Sequence, residues 1–294
     1  MPAQLIVVVG PTGVGKTDYA VGLARQYQCP IISADSRQIY RGMAIGTDAP
    51  SVELQAEIPH YFIGSKEVWE DYSASDYAGD VLELLTELRP QYPRLVLVGG
   101  SMLYLQALLF GISRVPLPSP ELRRSLWQKF HTDGVESLRN ELEEVDPSYL
   151  AQIDPNNHKR IIRALEVYHT TGYPFSSFHQ QSTPRPLPYE VDLRLATRPR
   201  AELYDRINTR VEQMVERGLV AEVQRLAPYR SYNALNTIGY KEIFQYLDDT
   251  LSLEEATRLI AKRSRVYARQ QLTYFGKWCR EGSPFHYTII DLGA

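Results

Sequence analysis

Leu5-Ile-Val-Val-Val-Gly-Pro-Thr-Gly-Val-Gly-Lys-Thr17 is the stretch whose reading decides the fold. Five apolar residues run into Gly10-x-x-x-x-Gly15-Lys16-Thr17, the complete G-x-x-x-x-G-K-[ST] pattern. The unbroken apolar run reads as a strand buried on both faces. After the loop, Asp18 to Gln28 places Ala20, Leu23, Ala24 and Tyr27 on one helical stripe. Gly10, Gly13 and Gly15 let the backbone curl, so that N–H groups converge on phosphate oxygens at the positive end of the helix. Pro11, Thr12 and Val14 complete that cradle. Lys16 would neutralise phosphate charge, and the Thr17 hydroxyl suits a Mg²⁺ whose other ligands are phosphates and water. The loop says phosphate. It names neither the compound nor its fate.

The surrounding chain narrows the class. Its 294 residues are 44% hydrophobic and 23% charged, ordinary values for a soluble globular protein with a sizeable core. Cys29 and Cys279 are far apart and form no CxxC, so neither a disulfide scaffold nor a zinc cluster is indicated. No apolar run approaches the ~18–20 residues that span a bilayer, and the first residues lead straight into the first strand. A cytoplasmic enzyme is expected. The net charge of −3 does not advertise nucleic-acid binding, so any such binding must come from local clusters.

Pro30-Ile-Ile-Ser33 is a second short strand that empties into Ala34-Asp35-Ser36-Arg37-Gln38. In an open parallel sheet chemistry gathers at the carboxyl ends of strands, which places Asp35 near the phosphate loop. An Asx-turn or helix cap is the structural alternative for this Asp. Tyr72 to Leu88 reads as helix. Arg94-Leu-Val-Leu-Val-Gly-Gly-Ser101 is another buried strand, ending in a glycine turn where an ATPase or kinase usually carries an acidic residue. That omission argues against plain ATP hydrolysis. Val115-Pro-Leu-Pro-Ser-Pro120 and Thr183-Pro-Arg-Pro-Leu-Pro188 bracket charge-rich helical patterns, Glu121–His131, Gly134–Val145 and Asn156–Thr170. The expectation is a P-loop NTPase-like α/β core, a parallel sheet flanked by helices, formed by residues 1–113 and 187–294. A mostly helical insertion domain occupies 114–186. Val191–Ala196 reads as a returning strand, and Pro199–Arg217 as a long helix ended by Gly218.

Two basic constellations stand out. His158-Lys159-Arg160-x-x-Arg163 opens a helix in the insertion. Arg258, Lys262, Arg265 and Arg269 step by four, three and four along one helix face, with Arg263 beside it. A charge run is usually a solvated face, but Glu254 and Glu255 end before this one develops, so most of it lacks i, i+4 acidic partners. Such a stripe can track a nucleic-acid backbone. Tyr267, Tyr274, Phe275 and Trp278 offer stacking or core packing equally well.

Taken together, the chain resembles the tRNA dimethylallyltransferases, which modify the adenosine 3′ of the anticodon. The resemblance spans nearly the whole length. It runs through Gly10–Thr17, Ile32-Ser-Ala-Asp-Ser-Arg-Gln-Ile-Tyr40, Gly42-Met-x-Ile-Gly46-Thr47 and Pro59-His60. It continues through Leu97-Val-Gly-Gly-Ser-Met-Leu-Tyr104, Arg163-Ala-Leu-Glu-Val167, Ile238-Gly-Tyr240 and Tyr267-Ala-Arg-Gln-Gln-Leu-Thr273. It implies that dimethylallyl diphosphate, rather than ATP, sits in the phosphate loop, with Mg²⁺. Asp35 is then the general base for the adenine N6, and Arg210 binds the diphosphate. Ser101, usually Thr in the family, keeps the hydroxyl expected to contact diphosphate or metal. The tRNA anticodon stem-loop would be contacted by Asp35, Ser36, Arg37, Gln38, Ser101, Arg123, Lys159, Arg160 and Arg163, with Arg258, Lys262, Arg265 and Arg269 on its phosphates. The resemblance also implies a target base flipped out of the loop. The sequence carries no C-terminal zinc finger of the kind larger eukaryotic relatives have, which reads as a bacterial or organellar type. No feature points to a membrane or to an obligate protein partner.

Three other readings remain at this point. An adenylate isopentenyltransferase shares the loop and the catalytic Asp, but would find the helical insertion and basic stripe surplus. A P-loop small-molecule kinase conflicts with the strand end at Gly99–Ser101. A non-catalytic, nucleotide-gated RNA-binding protein would need no Asp at residue 35.

Overall fold

The computed structural model describes residues 3–111, 118–178 and 184–293. The chain divides into two compact units, Met1–Leu109 with Pro184–Ala294, and Phe110–Thr183. Of the proline-rich stretches expected to bracket the insertion, Val115–Leu117 and Thr183 lie outside the described residues, and Pro118–Pro120 and Pro184–Pro188 within them.

The larger unit is built on six strands: β1 (Gln4–Val9), β2 (Ile31–Ala34), β3 (His60–Tyr61), β4 (Arg94–Gly99), β5 (Glu190–Thr197) and β6 (His286–Asp291). They form one wholly parallel sheet in the order β3-β2-β4-β1-β5-β6. The apolar runs explain the interior strands. Leu5, Val7, Val8 and Val9 of β1 and Leu95, Val96 and Leu97 of β4 are all fully buried, as a parallel strand covered on both faces requires. β6, whose residues are all exposed or half-buried, completes the far edge beside β5.

Helices connect the strands. α1 (Lys16–Tyr27), α2 (Val52–Glu57) and α3 (Ala74–Leu88) join the first four strands in turn, and α4 (Met102–Phe110) follows β4. α3 starts in a capping box, Ser73 with Asp76, which satisfies two otherwise orphaned amides. In the smaller unit, α5 (Pro120–Val145) is broken at Gly134, where φ is 77°. It packs with α6 (Pro147–Leu150) and α7 (His158–Thr171) around Leu126, Leu138, Leu142, Ile161, Ile162 and Leu165. Asp146 is buried there and accepts hydrogen bonds from Tyr149 N, Ser148 Oγ and Ser176 N. Those donors hold its carboxyl below the usual range against the opposing effect of burial.

After β5 the chain forms α8 (Arg200–Glu216), α9 (Leu219–Leu226), α10 (Tyr240–Leu247) and α11 (Leu253–Gly276). Gly218 follows α8 at φ 97°, a left-handed stop that matches its place in the sequence. α8 and α11 pack together behind the phosphate loop, where Val14 meets Ala196, Leu203, Ile207 and Ala268. No helix among the described residues is long and apolar enough to cross a membrane.

Candidate active site

The turns following β1, β2 and β4, three adjacent strands, open into one cavity of about 610 Å³ at the carboxyl edge of the sheet. Its walls include Thr12, Gly13, Gly15, Lys16 and Thr17 of the phosphate loop, Asp35 and Gln38 after β2, and Gly99 and Gly100 after β4. Arg210 enters from α8, and Tyr267 and Gln271 from α11.

The loop is held from behind by arginines. Arg198 Nε donates to Val14 O at 3.3 Å, Arg206 Nε to Gly13 O at 3.0 Å, and Arg210 Nη2 to Thr12 Oγ1 at 2.7 Å. From the other side Gln271, itself buried, accepts Thr12 N–H at 2.8 Å and donates to Gly100 O at 2.8 Å. One amide thus ties the phosphate loop to the turn after β4. Lys16 Nζ donates to Pro11 O at 2.7 Å. Burial first, and then the neighbouring Arg210 charge, bring Lys16 down from 10.5 to about 7, while Asp35 acts in the opposite direction. Burial also lowers Arg210, against the pull of Asp48 and Asp35. Three groups placed far apart in the sequence, Lys16, Asp35 and Arg210, therefore sense one another's charge.

Asp35 is oriented rather than merely near. Its Oδ1 accepts Arg37 N–H at 2.8 Å and Gln38 N–H at 3.2 Å, the Asx-turn geometry that was the structural alternative for this residue. The other carboxylate oxygen has no hydrogen-bond partner among the described residues and belongs to a side chain lining the cavity. Turn-former and reactive carboxylate are compatible roles here, one oxygen to each.

Ser101 does not line the cavity. Its Oγ accepts Ser36 N–H at 2.7 Å and its own N–H donates to Ala34 O at 3.1 Å, so this hydroxyl fastens the Asp35 turn from beneath. Arg37 is likewise engaged, donating to the carbonyls of Asn233 and Ala234 at 2.8 and 3.2 Å. Gln38 reaches the cavity wall, but its amide nitrogen donates to Thr47 O and Asp48 O and its oxygen accepts from Ser33 Oγ. The acidic residue missing at the end of β4 has a steric reason. A Cβ on Gly99 would lie 2.2 Å from Ala34 O, and one on Gly100 2.4 Å from Gln271 Nε2.

Several wall residues carried no role in the sequence. Asp48, with φ 53°, pairs with Arg217 at 3.0 Å and stands 3.8 Å from Arg210. Its loop is anchored by the buried Glu222, which accepts from Ile45 N at 2.8 Å, Gly46 N at 2.9 Å and Tyr240 Oη at 2.6 Å. His60 donates from Nδ1 to Ile58 O at 2.6 Å, which leaves Nε2 with a lone pair, and burial lowers its pKa. That Nε2 and Arg210 Nε are buried without a hydrogen-bond partner among the described residues, and both belong to residues lining the cavity. Buried polar atoms are normally paired. A cavity holding an orphan acceptor and an orphan donor is prepared for a polar guest.

The basic clusters are less uniform than their spacing implies. On α11, Arg265 is turned onto α8, hydrogen-bonded to Asn208 Oδ1 and 5.9 Å over the Tyr204 ring, and Arg263 pairs with buried Glu242. Arg258, Lys262 and Arg269 remain exposed. In the smaller unit Arg123 and Arg163 share the buried carboxylate of Glu166 at 2.8 and 3.2 Å, whereas Lys159 and Arg160 are exposed. Of the aromatics offered for stacking, Phe275 and Trp278 are core, Tyr274 donates to Gln106, and Tyr267 lines the cavity.

Comparison with known proteins agrees with this arrangement. The family model described as IPP transferase matches residues 38–278. A tRNA dimethylallyltransferase 2 of Parabacteroides distasonis is 43% identical over 92% of this chain and 91% of its own length. A tRNA dimethylallyltransferase 1 of Porphyromonas gingivalis is 45% identical over 92% and 90%. Among solved structures, the full-length tRNA isopentenylpyrophosphate transferase of Bacillus halodurans is 36% identical with a TM-score of 0.69, covering 99% of this chain and 90% of that one. A eukaryotic dimethylallyltransferase acting on tRNA is 25% identical with a TM-score of 0.77, over 98% of this chain and 74% of that one.

Proposed function

The chain belongs to the IPP transferase family, and on that footing we propose that it moves the dimethylallyl group of dimethylallyl diphosphate onto N6 of adenosine 37, beside the tRNA anticodon. The products are N6-isopentenyladenosine and diphosphate. The observation that carries this reading is the cavity in which two half-buried cations, Lys16 of the phosphate loop and Arg210 of α8, stand with a carboxylate that has one oxygen to spare.

The adenine N6 lone pair forms a bond to C1 of the dimethylallyl group as the bond from C1 to the diphosphate oxygen breaks, and the N6 proton passes to Asp35. An exocyclic adenine amine is a weak nucleophile. An aimed carboxylate both fixes its approach and removes the charge it would otherwise acquire. Lys16, Arg210 and the loop amides take up the charge that develops on the departing diphosphate, which is where such a site gains most. Ser101 and Gln271 act behind these groups, holding the Asp35 turn and the phosphate loop. The donor set also suits Mg²⁺. Thr17 lines the cavity, and no cluster of three His, Cys, Asp or Glu among the described residues would hold an ion alone. Such a set fits an ion carried in on the diphosphate and steadied by the Thr17 hydroxyl, where it would add neutralising charge. Lys159 and Arg160, with Arg258, Lys262 and Arg269, are the exposed cations available to tRNA phosphates, and a cytoplasmic location accords with that substrate.

The test is incubation with dimethylallyl diphosphate and Mg²⁺, supplied with either tRNA or AMP, followed by nucleoside mass spectrometry. One dimethylallyl unit should appear on tRNA adenosine and none on AMP. No gain on tRNA would overturn the reading.

A further inference from the structure

Asp48 sets a carboxylate in the wall of a cavity built for an anion, and no step of the transfer accounts for it. Its two oxygens are divided between two arginines. Oδ1 accepts from Arg217 Nη2 at 3.0 Å, whereas Oδ2 lies 3.8 Å from Arg210 Nη1. Arg217 caps α8 about two turns beyond Arg210, so both arginines approach Asp48 from one side of that helix.

The position is enforced by the backbone. Asp48 has φ 53°, in the left-handed region that a non-glycine residue enters at a cost. Its N–H donates to Ile45 O at 3.1 Å, and Ala49 N–H donates to Ala44 O at 2.9 Å. Glu222 fixes the amides of Ile45 and Gly46 from below. Gln38, whose own N–H is held by Asp35, donates from its side chain to Thr47 O at 3.1 Å and Asp48 O at 3.2 Å. One short chain of bonds thus fixes both Asp48 and the Asp35 turn. Strain that its surroundings over-determine in this way collects at functional positions.

The two arginine contacts differ in kind. At 3.8 Å the approach to Arg210 is too long for a hydrogen bond, and Arg210 Nε has no partner among the described residues. Burial acts against the charge of this guanidinium, and Asp48 is the first group to oppose it, ahead of Asp35. A structural ion pair would take the close, bidentate geometry that arginine offers a carboxylate. Here the charge is supported while the donors stay free for a phosphate oxygen.

Building on the diphosphate reading above, we propose that Asp48 is the resident counter-ion of Arg210, one that sustains the guanidinium before diphosphate binds and competes with the diphosphate for it afterwards. Arg210 is therefore charged and aimed at the phosphate loop before the donor arrives. Once the carbon–oxygen bond has broken, Lys16 and Arg210 hold the product diphosphate against a neighbouring carboxylate, and that opposition eases its release. Asp48 is a positioning residue in this scheme, acting on the substrate through Arg210.

The experiment is calorimetric titration of inorganic diphosphate, the product itself, into the parent, Asp48→Asn and Asp48→Gly, with the same series repeated in an Arg210→Gln background. Asparagine keeps an oxygen for Arg217 and tolerates the left-handed backbone. Glycine adopts that backbone without strain and serves as the second variant should the first fold poorly. Both should bind diphosphate about fivefold more tightly than the parent, the upper end for a partly exposed charge pair, and added salt should shrink the gain. In the Arg210→Gln background the same substitutions should change affinity by less than about twofold, as expected once the coupled partner is gone. Unchanged or weaker binding in both variants, or an equal gain without Arg210, would overturn the counter-ion role. A loss seen only with Mg²⁺ present would make Asp48 an ion ligand and overturn it as well. Failure of the parent to bind inorganic diphosphate would bring down the diphosphate reading together with this proposal, whereas diphosphate binding without transfer to tRNA would count against the reaction alone.

Discussion

Titrating dimethylallyl diphosphate into the protein at different pH values, with no RNA present, probes the charge state of Lys16. In the cavity this ammonium is brought from 10.5 to about 7, by burial first and by Arg210 second. A bound diphosphate supplies a counter-charge and raises it again, so binding takes up a proton wherever free Lys16 is neutral. At pH 8 about nine-tenths of free Lys16 is neutral, giving an uptake of about 0.9 proton per site; at pH 6 it falls to about 0.1. A phosphate ester has its last ionisation near pH 6, so at pH 8 the ligand itself contributes little. Uptake means that affinity falls as pH rises above about 7, by up to about tenfold per pH unit. Calorimetry in two buffers of different ionisation enthalpy measures the uptake directly, as the slope of apparent enthalpy against buffer enthalpy. Lys16→Arg, charged throughout this range, is the control and should show a slope near zero. A parent slope below about 0.2 at pH 8, or the same slope in Lys16→Arg, would refute the assignment of a neutral, phosphate-responsive lysine.

Asp35→Asn keeps an oxygen for the Arg37 and Gln38 amides and removes the base, so single-turnover transfer should fall ~10²–10⁴-fold with RNA affinity nearly unchanged; equal losses in both would point to a role in binding instead. Changing Arg258, Lys262 and Arg269 together to Gln should lower the salt slope of tRNA binding by about 2, roughly 0.7 for each phosphate contact. Adding Arg265→Gln should change that slope little and lower the melting temperature, because Arg265 is spent on Tyr204 and Asn208. Glu222→Ala strands two backbone amides and the Tyr240 hydroxyl, at about 1–3 kcal/mol each. Urea unfolding should register a loss of several kcal/mol, with Glu222→Gln falling between.

How much of this was legible before folding follows from distance along the chain. The strand, loop and helix from Leu5 to Gln28 could be read because every element of the motif is local, and Asp35 because it ends the next strand. The alternation of Val191–Ala196 and the stop at Gly218 were equally local signals. Arg210 was different: by spacing it is one arginine on a long helix, and only the resemblance gave it a role. The stripe on α11 was read too generously for a comparable reason. The partners that neutralise or absorb Arg263 and Arg265 are Glu242 on α10 and Tyr204 with Asn208 on α8. An i, i+4 inspection cannot see them. Glu166 acts in the same way, since it lies 43 residues from Arg123. Asp48 had no local signature, and His60 and Gln271 stood in stretches that carry the resemblance without a role being assigned to either. They converge because β3 pairs with β2, because Glu222 pins the loop that carries Asp48, and because α11 passes behind the phosphate loop.

The crowding at Gly99 bears on where this scaffold can travel by mutation. A nucleotide-hydrolysing relative would need a carboxylate at that strand end, and a single base change in a glycine codon can supply aspartate. Here the newcomer would collide with the Ala34 carbonyl, and relief would require β2 to withdraw and take Asp35 along. A side chain at Gly99 and an undisturbed Asp35 turn are thus sterically incompatible. Geometry itself therefore resists that substitution at the strand end.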